Sequence, residues 1–195
     1  MIKMAKKYEF KPDRPRSGLL NKLYLTQKQR RVLLHWALYG LMLLVLSILQ
    51  DVILCHLRIF GASTELVPCA IFLICIVEGS HRGSVFALVA ALCYLFSGTA
   101  PGPYAMVFIT VLAILVTIFR QALLQKGFSA AMLCTGVAMV VYELAVFGFG
   151  LFLGLTHLGR WYGFLISAFL SLLTAPVLYP IVLSIGTIGG EAWKE

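Results

Sequence analysis

Few residues in this sequence have both the type and the setting to do chemistry. Glu143, in the run Val-Val-Tyr-Glu-Leu-Ala-Val-Phe-Gly, is an acid set deep inside an apolar segment. An unpaired carboxylate in hydrocarbon costs several kcal/mol. Glu143 is therefore expected to face the interior of a helix bundle, either neutral or hydrogen-bonded to a hydroxyl such as Tyr94, Ser167 or Ser171. The other use for such a group is a proton or ion pathway. That normally needs a relay, and only this acid reads as deep. Glu78 and Arg82 stand four apart with the acid first, the order that supports an exposed ion pair at a helix end.

The remaining reactive residue types do not form a constellation. His35, His56, His81 and His157 all fall at the ends of apolar segments, as interface residues do. The five cysteines (Cys55, Cys69, Cys75, Cys93 and Cys134) are scattered without a Cys-x-x-Cys pair and read as small packing hydrophobes. Gly-x-Ser-x-Gly, His-Glu-x-x-His and a phosphate-cradling glycine loop with lysine are all missing, as are paired carboxylates of the kind that metal-dependent lipid transferases use. No catalytic residue, metal or cofactor is assigned, and the expectation is a protein that is not an enzyme.

The elements that hold these residues are membrane helices. The chain has 195 residues, 61% of them hydrophobic, and a mean hydropathy of +0.93. Soluble domains carry an apolar share of roughly 45 to 50%. The net charge of +8 would suggest nucleic acid if it were spread over the chain, but ten of the 16 Lys and Arg precede residue 32. Glu9 and Asp13 are the only acids there, so the rest of the chain is neutral. A basic tail before a long apolar run resembles a secretory signal. Here the run from Val32 to Cys55 is long enough to span and no small-residue cleavage pattern follows, so it reads as an uncleaved first membrane helix with its tail in the cytoplasm.

Residues 1–31 form that tail, with Pro12 and Pro15 breaking any early helix. Residues 17–30 either make a short interfacial helix, with Leu19, Leu20, Leu23 and Tyr24 on one face against anionic lipid, or belong to a disordered tail that only enforces orientation. The transmembrane domain is residues 32–190, and residues 191–195 are a short cytoplasmic C-terminus. After Val32–Cys55, with Asp51 as a wetted end residue, come two short apolar runs, Leu66–Val77 and Val85–Phe96. They form either a thin crossing hairpin or a re-entrant pair, and crossing is favoured. Tyr104–Leu124, Phe128–Leu155 and Trp161–Ile188 complete six segments, with Pro176 and Pro180 predicting a kink or a broken final turn in the last. Six segments place both termini in the cytoplasm. The tail, Arg82, Arg120, Lys126 and Lys194 then lie inside, and Arg58 and Arg160 outside.

Small residues recur at four-residue spacing in two places: Gly79, Gly83, Ala87 and Ala91, with Ala90 beside them, and Gly159, Gly163, Ser167, Ser171 and Ala175. Such rows let helices approach closely in lipid. They serve either internal helix packing or a face that receives another protein.

The order of these features resembles the bacterial rod-shape-determining MreD family. Glu65-Leu66 opening the second segment carries part of the resemblance. Ser97-Gly98 and Gly102-Pro103-Tyr104-Ala105 after the third, and Tyr142-Glu143 with Val146-Phe147-Gly148 in the fifth, carry the rest, and Gln50 near the end of the first also fits. The match covers roughly residues 33 to 188. Tyr94 stands where the family often has an acid, Phe86 and Ala90 replace a glycine pattern, and the basic tail is longer than usual. If that acid matters, its role here has been lost or passed to Glu143.

The resemblance implies an all-α, six-helix protein of the bacterial inner membrane, similar in fold to the substrate-binding subunits of energy-coupling-factor vitamin transporters. It also implies a non-enzymatic scaffold for rod shape and side-wall peptidoglycan synthesis. The partners it implies are an MreC-like bitopic protein, the peptidoglycan synthase complex and an MreB-like filament. The alternative from another class is a vitamin-capture subunit. Those subunits carry an Ala-x-x-x-Ala signature in the first helix, where this chain has only Ala37 with Gly40, although Ala87 and Ala91 offer it in the third. A third reading is a small proton-coupled carrier that uses Glu143.

Overall fold

A computed structural model describes residues 27–54, 56, 64–98, 100–123 and 127–188. The proposed interfacial helix before residue 27, the loop that holds Arg58, Lys126 and the C-terminal residues 189–195 lie outside the described residues. The described chain is all-helical: α1 Gln27–Leu49, α2 Leu66–Glu78, α3 Ser80–Phe96, α4 Pro103–Leu123, α5 Phe128–Phe152 and α6 Trp161–Ile188. Four stretches are long and apolar enough to cross a membrane: Gln29–Leu54, Pro103–Arg120, Phe128–Phe152 and Leu158–Ile188. They present contiguous apolar surface, such as Leu41, Leu44, Val45 and Ile48 on α1 and Phe169, Leu173 and Val177 on α6. A water-soluble monomer rarely exposes patches of that extent. This is a membrane protein.

Backbone chemistry sets several helix ends. Gly79, Gly98 and Gly154 take φ of +86°, +80° and +70°, values that L side chains rarely adopt. Pro103 opens α4 at the first helical position, where its missing N–H is no loss. α6 runs through Pro176 and Pro180 without interruption to Ile188, so the broken final turn expected from those prolines does not occur. The first segment does change character. α1 ends at Leu49, and Gln50–Leu54 form a π-helical turn.

α2 is the hub. Every residue from Leu66 to Val77 is buried, and α2 touches all five other helices. At 13 residues it is about 20 Å long, shorter than the hydrocarbon core of a bilayer, and its neighbours rather than lipid cover it. α3 packs close beside it. A Cβ on Gly83 would sit 3.1 Å from the Cα of Cys75, and Ala87, Ala90, Ala91 and Tyr94 continue that buried side while Val85, Leu88, Val89 and Phe96 face out. Gly79 does not belong to this row. It lies before α3 and forms the turn between the two helices.

α1 is amphipathic in the reverse sense of a surface helix. Its buried positions include His35 and Tyr39, Gln50 follows them inward from the π turn, and its exposed positions from Val32 onward are mostly leucine, isoleucine and valine. Lipid accepts the apolar side, and the polar side chains must find partners within the bundle.

Candidate functional site

Two polar clusters form, one at each end of α2. At its C-terminal end Glu78 is drawn inward. His35 Nε2 lies 2.8 Å from Glu78 Oε1, and the Tyr39 hydroxyl lies 3.0 Å from the same oxygen. The other ring nitrogen, His35 Nδ1, is 2.9 Å from the carbonyl oxygen of Ile185, and the Tyr39 hydroxyl is also 3.2 Å from the carbonyl oxygen of Val182. A carbonyl oxygen can only accept, so Nδ1 carries a proton and donates. One further proton lies between Nε2 and Glu78, which leaves the pair neutral overall wherever that proton sits.

Trp36, Tyr39 and Phe86 pack beside the pair with mutually tilted rings at centroid separations of 5.3 to 6.1 Å. The half-buried Arg120, late in α4, feels the Glu78 charge. Its guanidinium lies against Gly79, where an added Cβ would be 3.2 Å from Nη1.

This arrangement corrects two expectations. Glu78 and Arg82 do not share a helix, because Gly79 breaks the chain between them, so the helical spacing behind an exposed ion pair is absent. The Glu78 side chain is only 9% exposed. His35, expected at an interface with the other histidines, is 4% exposed and belongs to the core. The signal was present in the sequence: His35 and Tyr39 are four apart and so lie on one helical face.

At the opposite end, the buried N-terminus of α2 is capped by other helices. Its own N-cap residue, Glu65, makes no capping bond with its side chain. Instead the Glu65 N–H donates to Ser171 Oγ of α6 at 2.8 Å, and the Val67 N–H donates to Gln50 Oε1 at 3.1 Å. The Gln50 amide also reaches the Tyr94 hydroxyl at 3.4 Å. The π turn aims Gln50 inward, and this is its structural use. Without these partners the first donors of α2 would be buried unpaired.

Glu143 of α5 is 2% exposed and accepts a 2.6 Å hydrogen bond from the Ser167 hydroxyl. The three hydroxyls considered for it therefore divide: Ser167 bonds Glu143, Ser171 serves the backbone of Glu65, and Tyr94 meets Gln50. Glu143 is not the only deep acid. Glu65 lies near enough that the two feel each other's charge. Nor is Asp51 a wetted end residue, since it is half-buried and its Oδ1 has no hydrogen-bond partner. Glu65 Oε2, the Tyr142 hydroxyl and Thr156 Oγ1 are likewise buried without partners among the described residues. The Tyr142 hydroxyl faces the Glu65 carboxyl, but no atom pair there reaches hydrogen-bond geometry.

The small-residue rows divide in a similar way. Gly83, Ala87, Ala91, Ser167, Ser171 and Ala175 are buried within the bundle. Gly159 and Gly163 are not used there, since nothing lies within 4 Å of a Cβ added to either. A cavity of about 320 Å³ opens between α1 and α3, lined by Gly40, Ser47, Phe86, Ala90, Cys93 and Tyr94 among others. Among the described residues no group of three or more His, Cys, Asp or Glu could hold a metal ion. No protein-family model, curated protein or solved structure matches this chain.

Proposed function

We propose that the chain is a non-enzymatic membrane scaffold of the cell-wall elongation machinery, of the MreD kind, needed for rod shape and side-wall peptidoglycan synthesis. On this reading all six helices lie in the bacterial inner membrane with both termini cytoplasmic, and the short α2 and α3 are accommodated within the bundle. The basic tail meets anionic lipid. Partner helices come from an MreC-like bitopic protein and the peptidoglycan synthase complex, and an MreB-like filament lies beneath.

The observation that carries the proposal is the open backbone where α6 begins. Gly163, and Gly159 in the 3-10 turn Leu158–Arg160 just before the helix, have open space over their backbones, whereas Ser167 and Ser171, further along α6 from Gly163, are engaged in internal hydrogen bonds. Close backbone approach is what draws helices together in lipid, and here room for a second helix remains. Replacing Gly163 or Gly159 with leucine is expected to abolish co-purification with the bitopic partner while membrane insertion stays intact. If both leucine variants co-purify as the unaltered chain does, the scaffold reading fails.

The cavity between α1 and α3 favours a second reading, capture of a small molecule for an uptake transporter. Its volume of about 320 Å³ lies at the lower end of ligand pockets, roughly 300 to 1,000 Å³. Native mass spectrometry of the purified protein would reveal a retained ligand. A ligand-free spectrum, together with partner loss in the leucine variants, would leave the scaffold alone.

A further inference from the structure

Two acids at the N-terminal end of α2, the buried Glu143 and the half-buried Glu65, are held along one helix. Ser167 and Ser171 are a single turn apart on α6, about 5 to 6 Å between Cβ atoms. Ser167 holds the Glu143 carboxyl at 2.6 Å, and Ser171 holds the backbone of Glu65 at 2.8 Å. Each acid feels the other's charge. Two carboxylates brought this close in a low-dielectric setting repel strongly unless a positive charge stands between or beside them.

The described residues supply little of that charge. The N-terminus of α2 is worth about half a positive charge, and its leading donors are already engaged by Gln50 and Ser171. Among the described residues the basic side chains at this end, His56, His157 and Arg160, are all exposed. No buried cationic side chain stands beside the cluster among the described residues. It also holds ligand atoms with nothing to bind: Glu65 Oε2 is buried without a partner, as is the hydroxyl of Tyr142, a residue with 0% exposure. A buried polar atom left unpaired costs about 1 to 3 kcal/mol, so two beside each other, on Glu65 and Tyr142, point to a missing ligand.

We propose that Glu65 and Glu143, with the Tyr142 hydroxyl, bind one exchangeable monovalent cation, a sodium ion or a proton, at the buried N-terminus of α2. The donor set favours a small hard cation, because every ligand atom is oxygen. Two carboxyl groups do not make the larger acidic set that a divalent ion would take, which agrees with the lack of any group of three among the described residues. The π turn at Gln50–Leu54 borders the site, and π turns inside helices are frequent at functional positions. This site is separate from the open face at Gly159 and Gly163 and does not depend on a partner being bound.

The other titratable groups around the pair are Tyr94 of α3, Tyr104 of α4 and Tyr142 of α5, which feel the Glu65 charge, and Asp51 of the π turn, which stands beside Tyr94. α6 contributes only serine hydroxyls.

The test is the thermal midpoint of the purified full chain in detergent, in sodium chloride against choline chloride at equal ionic strength and at two pH values. Sodium binding to the folded state raises the midpoint with the logarithm of its concentration. Lower pH weakens that rise, because protons compete for the same oxygens. Glu65→Gln and Glu143→Gln are expected to lower the apparent sodium affinity by about tenfold or more. Tyr142→Phe, which keeps the ring and its packing, is expected to lower it by a smaller factor, while His157→Gln leaves it unchanged.

If the proton is the resident cation, sodium does nothing. The midpoint then rises as pH falls in the unaltered chain, and that rise is lost in both glutamine variants but kept in Asp51→Asn. Should either glutamine variant fail to fold, Tyr142→Phe and direct uptake of radioactive sodium by the unaltered protein decide the matter. The proposal is overturned if neither sodium nor pH moves the midpoint, or if the responses of the glutamine variants, or of Tyr142→Phe where those do not fold, equal those of the unaltered chain.

Discussion

The two ends of α2 solve the same physical problem to different degrees. Each places a glutamate at the edge of a helix about 20 Å long, inside a bundle with no water to spare. Around Glu78 the groups close on themselves: Glu78 Oε1, both ring nitrogens of His35 and the Tyr39 hydroxyl all have partners, two of them the carbonyls of Val182 and Ile185, and no atom of the triad is buried without one. Around Glu65 they do not. Gln50, Ser171 and Ser167 satisfy the helix terminus and Glu143, while Glu65 Oε2 and the Tyr142 hydroxyl remain buried without partners. A completed network stiffens a structure, and an incomplete one marks where something else is meant to act. The difference assigns the C-terminal end of α2 to holding helices together and the N-terminal end to binding.

Breaking the completed end is expected to cost most. Glu78→Ala strands His35 Nε2 in the core and is expected to lower stability by about 3 to 5 kcal/mol, read as a shift in denaturant midpoint in micelles. Adding His35→Ala to it should cost less than the sum of the two single changes, the mark of direct coupling. Next comes the turn beside it. Gly79→Ala forces a side chain onto a φ of +86° and against the Arg120 guanidinium, for about 1 to 3 kcal/mol.

At the other end, Gln50→Leu removes the acceptor of the Val67 N–H and is expected to cost about 1 to 3 kcal/mol, with faster hydrogen exchange at the start of α2. The smallest effect should best separate the two ends. In choline buffer Tyr142→Phe is expected to be neutral or slightly stabilising, because it deletes an unpartnered hydroxyl. Tyr39→Phe, which deletes a partnered one, should cost about 1 kcal/mol. Equal losses from the two phenylalanine variants would erase the contrast.

Much of the fold was legible in the sequence. The apolar runs at Leu66–Val77, Phe128–Leu155 and Trp161–Ile188 match α2, α5 and α6 to within a few residues, because helix length in lipid follows directly from uninterrupted apolar composition. The depth of Glu143 was legible for the same reason. His35 and Asp51 were misread, and Glu65 was not counted as deep, because each sits near the end of its segment, and an end suggests an interface and water. α2 is too short to bring its ends to such a surface by itself. Its neighbours enclose both, so residues at segment ends become core residues.

Composition and periodicity by themselves determined that this chain is a membrane protein of apolar helices, where those helices start and stop, and which rows of small residues allow close approach. Those are local properties of consecutive residues, set by hydrophobicity and backbone freedom. Only the tertiary structure decided that α2 is the hub, that His35 and Tyr39 of α1 meet Glu78, and that Glu65 joins Glu143 in one cluster. Side chains from segments as far apart as residues 35 and 185 meet there, and such meetings depend on how helices pack around one another, which no spacing along a single helix encodes.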